Sequence, residues 1–164
     1  MRVYISGKIG EEALSDATAQ KFARAEAMLY KTGRFSVVFN PCDEAVQYLL
    51  KHQYDSACII GDCIADRYSF YLIKTMAEMY RCEAVYMLAD WKLSPGARAE
   101  YHTAMAMGKR MFFQDRTDAA EYVIHLMREQ VRRGNPPDYY LEKKCLDAEI
   151  ECIKRDLDKA WLPI

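Results

Sequence analysis

The sequence predicts an open parallel α/β sheet flanked by helices and followed by a helical hairpin. Three observations carry that prediction. Short apolar runs rich in β-formers alternate with longer amphipathic stretches of helical period, the pattern of a layered α/β domain. Residues 83–113 read as strand, loop, helix and strand with a short second connection, which implies parallel strands and a right-handed crossover. Two striped stretches, broken by Gly134-Asn135-Pro136-Pro137, close the chain.

Residues 2–6 form the first expected strand, and Ser6-Gly7-Lys8-Ile9-Gly10 follows at its carboxyl end. The turn lacks the Gly-Lys-Ser/Thr ending of a phosphate-binding Walker loop. A helix is expected over 11–31, with Leu14, Phe22, Ala25, Met28 and Leu29 on one face, ended by Gly33. Residues 35–39 are the second strand, closed by Asn40-Pro41, a turn signal. Residues 43–52 look helical, with Ala45, Val46, Leu49 and Leu50 as the apolar side. Residues 54–67 mix apolar and polar side chains around Gly61 and suit a lid or a short helix pair. A firmer helix spans 68–81, striped by Leu72, Thr75, Met76, Met79 and Tyr80.

Residues 84–88 make a continuous apolar run, as in a strand covered on both faces. Ser94 is a good N-cap, and Pro95 fits the first helical position, where a missing N–H costs nothing. Gly108 suits the end of that helix, and 110–113 form the fourth strand. Thr117 is the expected cap of a helix to Arg133, striped by Ala120, Ile124, Met127 and Val131. The last helix is expected over 139–161, striped by Leu146, Ile150, Ile153, Leu157 and Trp161. The expected division is an α/β domain over 1–134 and a helical extension over 135–164. That extension packs on the body or on a second copy of the chain, which makes a homo-oligomer one expectation.

Composition narrows the function classes. The chain has 164 residues, enough for one α/β domain, with 51% apolar and 29% charged residues. A net charge of −1 argues against a dedicated nucleic-acid binder. No apolar run reaches spanning length, and the start reads as a strand rather than a leader peptide. A cytoplasmic protein with no membrane partner is therefore expected. The six cysteines contain no CxxC pair and are read as small buried thiols, not disulfides. Cys58 and Cys63 form no convincing metal pair, the histidines are scattered, and no metal or cofactor is expected.

Ligands of open parallel sheets sit beyond the carboxyl ends of the strands, where helix N-termini offer free N–H groups. That edge should carry Ser6 and Gly7, Asn40, Asp90, Trp91, Ser94, Gly96 and Glu100. Trp91 either stacks on a ligand and excludes water or simply covers the sheet end. Glu100 is either a site carboxylate or a solvated helix glutamate near Arg98.

The motifs resemble a known superfamily. Tyr4-Ile5-Ser6-Gly7, Asn40-Pro41, residues 82–88, and Trp91-x-x-Ser94-x-Gly96-Ala97-Arg98-x-Glu100 are similar to the nucleoside 2-deoxyribosyltransferase-like superfamily, in an uncharacterised bacterial and phage branch. The match covers about residues 1–113. It implies a doubly wound, flavodoxin-like fold and chemistry at the N-glycosidic bond of a nucleoside or nucleotide. It implies Glu100 as nucleophile, with Tyr4, Ser6, Gly7, Asn40, Trp91, Ser94 and Gly96 holding substrate. Asp90 is the candidate acid by position. Such a nucleophile should be ionised, so donors around Glu100 are expected to keep its pKa low.

Two positions depart from the pattern. Many relatives carry an aspartate where Thr75 stands, and Glu83 replaces the usual aspartate after the cysteine. A threonine cannot serve as a carboxylate acid or base. The functional readings from sequence are thus an N-glycosidic enzyme, a nucleotide-binding sensor without turnover, and an interaction protein acting through its hairpin.

Overall fold

A computed structural model describes residues 1–9, 14–59, 66–134 and 146–163. They group into two compact units, Met1–Met111 and Phe112–Pro163. The strands form a four-stranded, all-parallel sheet in the order β2-β1-β3-β4, flanked by helices in the doubly wound manner. The strands are β1 (Arg2–Ser6), β2 (Val37–Phe39), β3 (Ala84–Met87) and β4 (Arg110–Phe113).

In the first unit, β1 is the hub. Val3 lies opposite Val38 on one side and Ala84 on the other, and Tyr4 lies opposite Phe39 and Val85. A strand paired on both edges and covered on both faces is mostly apolar, with any polar group partnered, and β1 and β3 are buried from Val3 to Ser6 and from Ala84 to Met87. Tyr4 also stacks on Phe39, with ring centroids 5.5 Å apart.

Helix α1 (Asp16–Lys31) begins later than the predicted residue 11. Its cap is Ser15, whose hydroxyl accepts the Thr18 N–H at 3.2 Å. Leu14 therefore precedes the helix instead of lying on its stripe. Phe22, Ala25 and Leu29 face the core as expected, while Met28 is exposed. Residues 10–13 lie outside the described residues.

Helix α2 (Glu44–Ile59) runs past the predicted end at residue 52, since nothing between Gln53 and Ile59 breaks a helix. Leu50 is its one buried residue; Ala45 and Leu49 face outward. The expected lid or helix pair over 54–67 is, up to Ile59, the end of α2, and 60–65 lie outside the described residues. Helix α3 (Arg67–Tyr80) starts at an Asp66 cap and buries Thr75 and Met79, with Tyr80 exposed.

Ser94 caps α4 (Pro95–Ala106), accepting the Ala97 N–H at 3.2 Å, and Pro95 takes the first helical position as predicted. Gly108 stands just beyond that helix at φ +65°, a left-handed conformation that glycine adopts without a Cβ clash. A one-turn 3₁₀ segment, Trp91–Leu93, links β3 to that cap.

In the second unit, α5 (Arg116–Arg132) packs against α6 (Leu146–Ala160). The cap of α5 is Asp115, not Thr117: its Oδ1 accepts both the Thr117 and Asp118 N–H groups. The buried stripe runs through Ala119 and Val123, leaving Ile124 and Val131 exposed. Leu157 of α6 is buried as predicted. Trp161 forms an isolated parallel bridge with Phe113, and the Leu162 N–H donates to the Phe113 carbonyl at 2.8 Å. The expected start of the last helix at residue 139 lies outside the described residues. No described helix is long and apolar enough to cross a membrane.

Candidate active site

The carboxyl end of β1 and the first turns of α4 converge on one carboxylate. Glu100 sits in the second turn of α4 and is only 6% exposed. The Tyr4 hydroxyl donates to its Oε1 and the Ser6 hydroxyl to its Oε2, each at 2.6 Å. These are short distances, typical of hydroxyls donating to a carboxylate. Tyr4 and Ser6 alternate with Val3 and Ile5 along β1, so both donors project from the same face of the strand. Glu100 is thus no solvated helix residue. Arg98 points elsewhere, donating to the Lys92 carbonyl at 3.1 Å.

Burial pushes the Glu100 carboxyl up to about 7 against the pull of the Ser6 and Tyr4 hydroxyls. The sequence-based expectation of a low pKa is corrected here. Neutral hydroxyls stabilise the charge but do not replace the water removed by burial. Burial first, and then the neighbouring Glu100 charge, hold the Tyr4 phenol well above its ordinary range, so it remains a donor. The nearby Cys42 thiol is buried and pushed up to about 12, which makes it inert as a nucleophile.

Glu100 lines a cleft of about 150 Å³. Ile5, Leu14, Leu50 and Leu72 supply apolar wall, and Gln47, Arg67, Tyr68, Tyr71, Thr75 and Ser94 supply polar groups. Gly7 and Gly96 line it too, as predicted. A Cβ on Gly96 would fall 2.7 Å from the Tyr68 hydroxyl, and one on Gly7 equally close to the Leu88 side chain. Their lack of a side chain lets neighbouring groups close onto the backbone there.

Five predicted site residues do not line the cleft: Tyr4 and Ser6, which stand behind Glu100 as its donors, and Asp90, Asn40 and Trp91. Asp90 accepts from the Lys8 N–H at 3.1 Å and from the Lys21 ammonium at 2.5 Å. Both of its oxygens join the β1 turn to α1. Asn40 is buried as a turn brace: its amide donates to Glu26 and its oxygen accepts the Cys42 N–H, both at 2.9 Å. Trp91 is buried and stacks on Tyr101 of α4, with ring centroids 4.5 Å apart.

Sequence reasoning missed the α2–α3 contribution of Gln47, Arg67, Tyr68 and Tyr71. The available signal was the four-residue spacing of Arg67 and Tyr71 on one helix face. Thr75, singled out from sequence, does line the cleft, and its hydroxyl donates to the Leu72 carbonyl at 3.1 Å. Cys42 and Cys82 are buried, whereas Cys58 is exposed because the outer face of α2 carries it. Among the described residues no three His, Cys, Asp or Glu side chains cluster as metal ligands.

The fold and cleft thus define a doubly wound α/β protein with a buried carboxylate, Glu100, lining a cleft at the carboxyl edge of its sheet. The chain belongs to the family described as Domain of unknown function (DUF4406), whose model matches residues 1–113. That match contains the whole cleft and stops at the end of β4. No curated protein and no solved structure matches the chain.

Proposed function

We propose that the cleft cleaves the N-glycosidic bond of a nucleoside or nucleotide, with Glu100 as the nucleophile. One observation carries the reading: a buried carboxylate, held by two hydroxyls, lining a cleft at the ligand edge of a parallel sheet. The resemblance of the Trp91–Glu100 and Tyr4–Gly7 motifs to the nucleoside 2-deoxyribosyltransferase-like superfamily supports it.

The reaction needs a carboxylate on the face of the sugar opposite the leaving base. In its ionised form, a Glu100 oxygen attacks the anomeric carbon. The C–N bond breaks, and its electron pair leaves with the base nitrogen, which takes a proton from solvent or a nearby acid. Water or a second base then displaces Glu100 from the same carbon and restores the carboxylate. The Tyr4 and Ser6 hydroxyls fix the carboxylate in one orientation, which reduces the reorganisation needed for attack. With a pKa of about 7, a useful fraction of Glu100 is ionised at neutral pH, and the group remains basic enough to bond strongly to carbon.

The test is base release, followed by chromatography, from ribo- and deoxyribonucleosides and their 5′-monophosphates, with and without an acceptor base. Release by the wild type and its loss in Glu100→Gln support the reading. Equal release by both proteins refutes it, as does silence of the wild type across the panel. A binding module without turnover is the second reading. It is favoured by Thr75: its hydroxyl bonds to a backbone carbonyl, and Glu100 is the one acid among the described residues of the cleft. Stabilisation by a nucleotide without product distinguishes it.

A further inference from the structure

Among the described residues, the cleft lining has two charged side chains, Glu100 and Arg67. They lie on different helices and form no ion pair with each other. Glu100 is satisfied by Tyr4 and Ser6. Arg67 donates through one nitrogen to the Tyr71 hydroxyl at 3.3 Å, and its guanidinium stands 5.2 Å from the Tyr71 ring centre. No carboxylate among the described residues pairs with it. The guanidinium is therefore braced on one side by an aromatic ring, and its other N–H groups donate to no group among the described residues. A planar guanidinium held this way suits an oxyanion with several acceptor oxygens.

We infer that Arg67 is the specificity residue of this cleft, selecting a substrate with a 5′-phosphate over the free nucleoside. The inference rests on the proposed glycosidic reading, which puts the anomeric carbon at Glu100. A phosphate carried by the same sugar then enters the cleft whose one cation among the described lining residues is Arg67. The cation also offsets the repulsion that Glu100, once ionised, exerts on an anionic substrate.

The experiment compares kcat/KM for base release from matched nucleosides and 5′-monophosphates, in wild type, Arg67→Gln and Arg67→Lys. Inorganic phosphate serves as competitor. One charge-assisted hydrogen bond to the phosphate corresponds to a preference of roughly 10- to 100-fold for the monophosphate. Arg67→Gln should remove that preference, lowering kcat/KM for the monophosphate far more than for the free nucleoside. Arg67→Lys should restore part of it, and phosphate should inhibit the wild type more than Arg67→Gln. Far-ultraviolet circular dichroism checks that each variant is folded. Base release that needs Glu100 but ignores the phosphate, or a preference that survives Arg67→Gln, overturns this inference and leaves the glycosidic reading standing. Absence of base release from every substrate overturns both.

Discussion

Glu100 and Asp90 are carboxylates of one compact unit, at the same edge of one sheet, in opposite surroundings. Glu100 is buried and meets only neutral hydroxyls, and its pKa rises to about 7. Asp90 is about one-third exposed and meets the Lys21 ammonium and a backbone N–H. A cationic partner ties a carboxylate to a structural task. Neutral donors orient a carboxylate yet leave its charge available for chemistry. The contrast explains why position along the sheet edge, which treated both residues as site groups, does not separate them, whereas burial and partner charge do.

The sharpest way to break this comparison is to neutralise each carboxylate. Glu100→Gln should lower base release by at least ~10³-fold, as expected for removal of a covalent nucleophile. Asp90→Asn should leave the rate within about tenfold. Similar losses in the two variants would mean that the assignment of roles is wrong.

The next effect is on stability. The folded-state pKa of Glu100 lies above the ordinary 4.5, so the native chain holds this proton where the unfolded chain has released it. Stability from this group is complete below about pH 4.5 and declines as pH rises through about 7. The full decline is on the order of 3 kcal/mol. Urea unfolding at pH 5 and pH 8 should show it in the wild type, and Glu100→Gln should be the more stable protein at pH 8. Equal pH dependence in both would show that burial of Glu100 carries no such cost.

Tyr4→Phe should act more gently. It keeps the buried ring but removes the donor to Oε1, so the Glu100 pKa should rise further. The limb of the rate profile that depends on ionised Glu100 should move about one pH unit toward alkali. An unmoved limb would deny Tyr4 its part in holding the charge.

The smallest effect is the stability of Asp90→Asn. Its partly exposed ion pair with Lys21 contributes ~0–1 kcal/mol, and the loss should shrink in high salt. A larger, salt-independent loss would show that the link between the β1 turn and α1 is structurally decisive.

The strands β1 and β4 were legible to the residue, because runs such as Val3-Tyr4-Ile5 and Met111-Phe112-Phe113 have no helical reading. Ser94-Pro95 announced α4 by cap chemistry. The errors arose where the local code is degenerate. Asp115 and Thr117 are both good caps, and nothing in the local sequence decides between them. Helix α2 continues because its sequence lacks a breaker, and lack of a signal gave no boundary. The site was legible in part. Glu100 and its motif were visible, but its partners are 96 and 94 residues away in the chain. Only the sheet brings them together, and with them the burial that raises the pKa. Arg67 and Tyr71 reach the cleft from a helix whose start follows a stretch that sequence patterns left ambiguous.

The bridge between Phe113 and Trp161 bears on how the protein behaves when crowded. β4 is the last strand in the sheet order, and an outer strand offers its backbone as a template for foreign strands. The Leu162 N–H already occupies the Phe113 carbonyl, and the indole N–H of Trp161 takes the Gln114 carbonyl at 3.2 Å. That stretch of the outer edge is closed by the chain's own C-terminal residues. They act there as a guard against edge-to-edge aggregation.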